Sequence, residues 1–275
     1  MKSKIKTQDV VILLGLVFWP LSLFLANSSI NFIRYTLPAV LMVISLVLFK
    51  KQSKLYFLPI LLIPVIEPKL VLLPIGVAIA DFFWNKANKK TFAFLATALL
   101  VLVLTWRGFS SQTIFTLDYE ARQAVIRKTQ LYRTVFMARL FHNKARICID
   151  KFNDKFFALT DPNNYFFGFH PRQIVLDNQN LNKFPFAALP FVLFGIYHLD
   201  KSKDKRFIIN IFIASLLSLS ILTIFDRNDF VLWLPISLTF IHGVKQFSKR
   251  FKMSKIFFFL FILFSIPGLI RIFVQ

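Results

Sequence analysis

Long apolar blocks separated by short polar connections, with lysines crowded into alternate connections, constrain this chain more than any other feature. The blocks run Val10–Ala26, Tyr35–Phe49, Leu55–Ile66, Leu70–Trp84 and Thr91–Trp106. After a long polar stretch they resume at Phe184–Leu199, Phe207–Phe225, Phe230–Val244 and Ile256–Phe273. Blocks of this length are read as helices in hydrocarbon, because a bilayer core about 30 Å thick needs roughly 20 apolar residues at 1.5 Å each. Composition agrees: 56% of the 275 residues are hydrophobic and 36 are Phe. A soluble fold holds about 45–50% apolar residues and would expose adhesive patches with this much Phe. The expected fold class is all-α: a polytopic transmembrane helical bundle of about eight or nine apolar segments, with one helical outer loop domain.

Charge placement sets the expected orientation. Lys and Arg cluster at Lys2, Lys4 and Lys6, at Lys50, Lys51 and Lys54, and at Lys86, Lys89 and Lys90. They cluster again at Lys201, Lys203, Lys205 and Arg206, and at Lys245, Lys249, Arg250, Lys252 and Lys255. The alternate short connections carry only Arg34, Lys69 and Arg227. Basic residues beside spans are retained in the cytoplasm, so the N-terminus is expected inside a plasma membrane. The net charge of +21 then reflects topology, and nucleic acid is not expected as a partner. The N-terminal run is too long for a signal-peptide core, and Phe24 sits where a small residue would precede cleavage. It reads as an uncleaved first span.

Three regions follow: N-terminal membrane segments 1–106, an extracytoplasmic helical loop 107–183, and C-terminal membrane segments 184–275. Lys54 and Lys86 must share a side, so 55–85 crosses an even number of times. Pro59, Pro64, Pro68 and Pro74 interrupt it, which predicts either two short tilted spans or a re-entrant hairpin, covered by protein. The loop holds twelve Lys and Arg, which does not oppose export, since long loops cross largely regardless of charge. Helices are expected over about Leu117–Asn143 and Arg146–Leu159, then a turn at Asp161-Pro162-Asn163-Asn164.

Motifs with specific chemistry are sparse. There is one cysteine, Cys148, and the four histidines have no metal-ligand spacing, so no metal is expected. Candidate lipid-phosphate contacts are Glu67 and Lys69 at the tip of the Pro-rich pair, His170 and Arg172 beside the aromatic string Tyr165-Phe166-Phe167-Gly168-Phe169, and Arg227. Each has a plainer reading as an exposed turn or an interfacial anchor. Asp226-Arg227-Asn228-Asp229 reads most simply as a hydrated hairpin turn. Ala214 and Ser218, one turn apart, suggest close helix packing. With no charge expected at the centre of a span, a transporter is the least favoured function.

From about Lys50 onward the layout resembles the C-terminal half of the GT-C class of membrane glycosyltransferases, which use polyprenyl-phosphate sugars and include protein O-mannosyltransferases and aminoarabinose transferases. The resemblance is carried by Glu67-Pro68-Lys69-Leu70-Val71-Leu72-Leu73-Pro74, by His142-Asn143-Lys144 with Asn153–Phe157 and Asp161–Phe167, by Phe184–Tyr197, and by Arg227 ahead of Leu232-Trp233-Leu234-Pro235. It implies a bound polyprenyl-phosphate lipid and a role in cell-envelope glycan assembly. Members of that class carry acidic catalytic residues in their first outer loop. Here the corresponding connection, Asn27–Arg34, has no carboxylate. General-base catalysis needs such a group within reach. The resemblance therefore implies the lipid-donor-binding half, in a divergent, split or accessory form, with the base supplied by a membrane partner chain or by Asp118, Glu120 or Glu67. No catalytic residue is assigned. The competing expectation is a non-enzymatic scaffold that docks partners through its basic loop.

Overall fold

A computed structural model of the chain describes residues 6–26, 29–85, 89–116, 143–167, 181, 183–251 and 253–274, with five further positions between 123 and 136. Among these residues the structure is helical, and the only β-type pairing is an isolated antiparallel bridge between Thr113 and Leu222. The helices are α1 (Thr7–Ala26), α2 (Ser29–Lys50), α3 (Phe57–Ile66), α4 (Leu72–Asn85), α5 (Lys89–Ser110), α6 (Lys144–Thr160), α7 (Leu189–Tyr197), α8 (Lys205–Ser220), α9 (Trp233–Arg250) and α10 (Ser254–Val274).

Five stretches are long and apolar enough to cross a membrane: Thr7–Ala26, Ile30–Lys50, Thr91–Ser110, Arg227–Arg250 and Ser254–Val274. Phe57–Ile66 and Phe186–Tyr197 are shorter apolar helices. Helices α1, α7, α9 and α10 pack together, and α2, α3, α4 and α5 form a second group. Helix α8 packs along α4 and also touches α9 and α6, joining the two groups. Gly76 on α4 meets Ala214 on α8, and Ser218 is buried one turn away, which is the close helix contact the small residues suggest.

The lysine-rich connections converge at one end of the bundle. Lys50 closes α2 and pairs with Asp204, just ahead of α8, at 3.1 Å. Arg206 lies over the ring of Trp84 near the end of α4. His242 of α9 contacts the carbonyl of His198, where α7 ends. At the opposite end, Arg34 pairs with Glu67, Gly108 of α5 packs against Pro68, and the Thr113–Leu222 bridge ties the chain after α5 to the chain after α8.

This arrangement bears on the Pro-rich pair. Arg34 is sixteen residues from Lys50, about 24 Å of helix, and Gly108 is nineteen residues from Lys89, about 28 Å. The Glu67-Pro68 tip is level with both. A re-entrant hairpin would turn back near mid-depth, whereas α3 and α4 reach the far end of the bundle. The pair is helical despite its prolines because α3 starts close to Pro59, and a short 3-10 turn at Pro68–Leu70 absorbs the break between α3 and α4.

The polar stretch 107–183 is not set apart from the bundle where it is described. Asn143 caps α6 by accepting a hydrogen bond from the Arg146 amide at 2.8 Å. The helix then runs along α8, and its last turn brings Ala158 and Leu159 into full burial. The Asp161 carboxylate accepts from the Asn163 amide at 2.9 Å, forming the expected turn. A π-helical turn, Asn163–Phe167, then inserts Tyr165 and Phe166 into the same core as α1 and α9. Gln123, Ile126, Arg127, Gln130 and Phe136 are helical, as expected for the first loop helix.

Candidate functional site

Trp19 stands twelve residues into α1, about 18 Å of helix from Thr7. It is fully buried and meets Tyr165, Phe184 and Phe230, with ring centroids 5.5–5.8 Å apart. The indole of Trp233 donates to the Leu16 carbonyl at 3.0 Å, fixing the start of α9 at this depth. Into this aromatic cage the chain delivers Lys183, from the segment ahead of α7, and Asp229, from the 3-10 turn Asp226–Leu232 ahead of α9. Both are buried, at 3% and 1% exposure.

Lys183 Nζ donates to Asp229 Oδ2 and to the Asn164 side-chain oxygen, each at 2.5 Å. It also lies 5.2 Å from the ring centre of Trp19 and 5.3 Å from that of Tyr165. Two hydrogen bonds and two aromatic faces replace the hydration shell the ammonium loses on burial. Burial pulls the Lys183 pKa below its ordinary value; the Asp229 carboxylate opposes that, and the neighbouring Arg227 reinforces it. Tyr165 donates its hydroxyl to the Leu159 carbonyl at 2.6 Å, and burial pushes its pKa well up, with Asp229 adding to the rise.

The Arg227-Asn228-Asp229 segment is therefore not a hydrated turn. All three residues are buried, and Asn228 has no hydrogen-bond partner for either amide atom among the described residues. The local sequence suggests exposure because four polar residues in a row normally seek water. Lys183, which neutralises the segment, lies 46 residues earlier. The expectation that spans lack interior charge changes with it, since Asp229 and Arg227 lie within the apolar stretch Arg227–Arg250.

The other candidates fall in different places. Glu67 is buried at the opposite end from the lysines and is held by Arg34, while Lys69 is half-buried in the following turn. His170 and Arg172 lie outside the described residues. Sequence reading missed Lys183, Asn164 and Trp19. The available signal was a lone lysine immediately ahead of one apolar block and an aspartate immediately ahead of another.

Beside the ion pair lies an apolar fissure of about 470 Å³, within the range of small-molecule sites. Tyr165 and Phe166 form one wall, and Val192, Ile208, Phe212 and Ile236 contribute the others. Leu193, Ile196 and Ile213 also line it and are 45–56% exposed, so it opens on the apolar flank of the bundle. Tyr165 is shared: one side of the residue lines the fissure and its ring lies beside the Lys183 ammonium. Such a site can hold a hydrocarbon chain. The carboxylates of Glu67 and Asp229 are both buried in ion pairs, which leaves neither as a ready proton acceptor. Among the described residues no group of three metal-ligating side chains forms.

Comparison of the chain with protein-family models, with curated proteins and with solved structures finds no match.

Proposed function

We propose that this protein is a multi-pass membrane protein that takes the hydrocarbon chain of a polyprenyl-phosphate lipid into the fissure between α6, α7, α8 and α9. Its role in this reading is in cell-envelope glycan assembly, as a divergent, split or accessory relative of the donor-binding half of a GT-C glycosyltransferase. The observation that carries the proposal is the fissure itself: nearly all apolar, open on the bundle's flank, and walled by Tyr165. The shorter helices are counted as spans here, giving about nine, with the lysine-rich end in the cytoplasm and 107–183 outside. His170 and Arg172 are assigned to the lipid phosphate. Glu67 serves to hold Arg34, leaving Lys69 and Arg227 as further contacts to test.

The buried, paired state of Glu67 and Asp229 favours an accessory role over a self-sufficient enzyme. It equally favours the scaffold reading, in which the fissure holds structural lipid only.

Native mass spectrometry of gently extracted protein tests the proposal. The expected result is a bound polyprenyl phosphate that is lost from an Ile209→Trp variant, in which the larger ring fills the fissure. Retention of ordinary phospholipid alone supports the scaffold. An unchanged lipid load in Ile209→Trp overturns the assignment to this fissure.

A further inference from the structure

At the lysine-rich end lies a second and larger cavity of about 900 Å³, distinct in chemistry from the fissure. It is lined by Lys50, Gln52, Ser53, Lys203, Asp204 and Arg206, with Phe49 and Tyr56 at its base. Three cations and one carboxylate surround it. Asp204 is bound to Lys50 at 3.1 Å, so the lining keeps a net positive charge. The Tyr56 hydroxyl does not balance that charge, since it donates to Asp81 at 3.1 Å, and burial and Asp81 push its pKa up.

Gln52 is a second, independent observation. It is the one non-glycine residue with positive φ among the described residues, at 53°. Its amide donates to the Phe49 carbonyl at 2.9 Å, and the Ser53 amide donates to the Leu48 carbonyl at 3.0 Å, closing α2 in a left-handed cap. Glycine or asparagine normally takes that position because a larger side chain crowds the backbone. A glutamine held there at a conformational cost puts a long amide at the rim of the most polar cavity in the bundle. Strained residues of this kind gather at ligand sites.

We propose that this cavity binds a phosphomonoester, held by Lys203 and Arg206 with the Gln52 amide as an additional donor. A phosphomonoester carries about −1.5 to −2 near neutral pH, which matches the surplus of cations, and an arginine fork suits two of its oxygens. The ligand has two sources: the headgroup of an anionic lipid reached from the membrane surface, or a free phosphate from the aqueous phase. The proposal does not depend on occupancy of the fissure.

The test uses the full chain in detergent. Inorganic phosphate is titrated as the free source. Phosphatidic acid is titrated against phosphatidylcholine of the same acyl chains as the lipid source. Thermal midpoint and native mass spectrometry give the readouts. A saturable effect of inorganic phosphate assigns a free ligand. An effect of phosphatidic acid without one from phosphatidylcholine or inorganic phosphate assigns a headgroup. In either case the Lys203→Gln/Arg206→Gln pair should weaken binding about tenfold or more. Lys144→Gln, a charge change at the start of α6, should leave it unchanged. Gln52→Gly should raise the thermal midpoint without ligand, by relieving the backbone, and weaken binding. No saturable effect from either source overturns the proposal. So does binding reduced equally by Lys144→Gln, which would be adsorption to a basic chain. A Gln52→Gly variant that binds as the parent does removes Gln52 from the site.

Discussion

Lys183 Nζ and Asp229 Oδ2 lie 2.5 Å apart with almost no solvent exposure, joining the segment ahead of α7 to the turn ahead of α9. Breaking one partner of a buried pair leaves a naked charge, which costs about 3–5 kcal/mol, whereas replacing both with neutral groups costs little or stabilises. Lys183→Met should therefore destabilise the bundle strongly. Lys183→Met combined with Asp229→Asn should recover most of the loss. Unfolding of the detergent-solubilised variants measures this, and purely additive losses would show that the pair is not what holds the two segments.

Gly195 and Gly243 let the backbones of α7 and α9 touch. A methyl group on Gly243 would fall 1.8 Å from the Phe191 carbonyl oxygen, and one on Gly195 would fall 2.1 Å from that of Thr239. Backbone cannot swing aside as a side chain can, so the helices would have to part. Gly243→Ala should cost about 1–3 kcal/mol or more. Gly76→Ala meets the Ala214 side chain at 2.9 Å and should cost less, while Gly108→Ala, at 3.4 Å from Pro68, should be close to neutral. Thermal midpoints in the order Gly108→Ala, Gly76→Ala, Gly243→Ala, falling, check the series; a Gly243→Ala protein as stable as the parent would contradict the contact.

The apolar blocks and the lysine pattern were legible because each is local: a run of Leu, Ile and Phe reports hydrocarbon, and Lys50 or Lys203 reports the end of a run. The helix over Lys144–Thr160 and the turn at Asp161 were legible for the same reason, through Asn143 and Pro162. What stayed hidden depends on distant partners. Asp229 reads as a hydrated residue until Lys183 is placed against it. Tyr165 and Phe166 read as an interfacial anchor, because nothing near them in the sequence signals a fold back against Trp19. The fissure has no motif, since Ile208, Phe212 and Val192 look like any lipid-facing residues.

Lys155 gives a pH dependence. It is buried on α6, with its ammonium 5.5 Å from the centre of the Phe225 ring. Burial lowers its pKa; Asp154 opposes the shift and Lys151 adds to it. The unfolded chain, at an ordinary value of about 10.4, therefore holds a proton that the folded chain has already released. Stability from this group is complete above the unfolded value and is lost as pH falls through the lowered folded value. Lys155→Gln should be more stable than the parent at neutral pH, with the gap closing as pH rises toward about 10.4. Thermal midpoints of both proteins across that range check the sign, and a gap that widens with pH would reverse it.

The charge pattern makes a prediction about sidedness that the packing sharpens. Lys51 lies beside Lys50, which meets Asp204, while Ser111 follows α5 at the end where Thr113 bridges to Leu222. The two positions are thus at opposite ends of the bundle, and both are exposed. Retention of basic clusters puts the Lys51 end in the cytoplasm. In a Cys148→Ser background, Ser111→Cys should react with a membrane-impermeant maleimide in intact cells. Lys51→Cys should react only after permeabilisation. The reverse result would invert the topology and leave the helix packing untouched. Labelling of both positions from the same side would contradict the packing as well, because no single tilt of this bundle brings the two ends into one compartment.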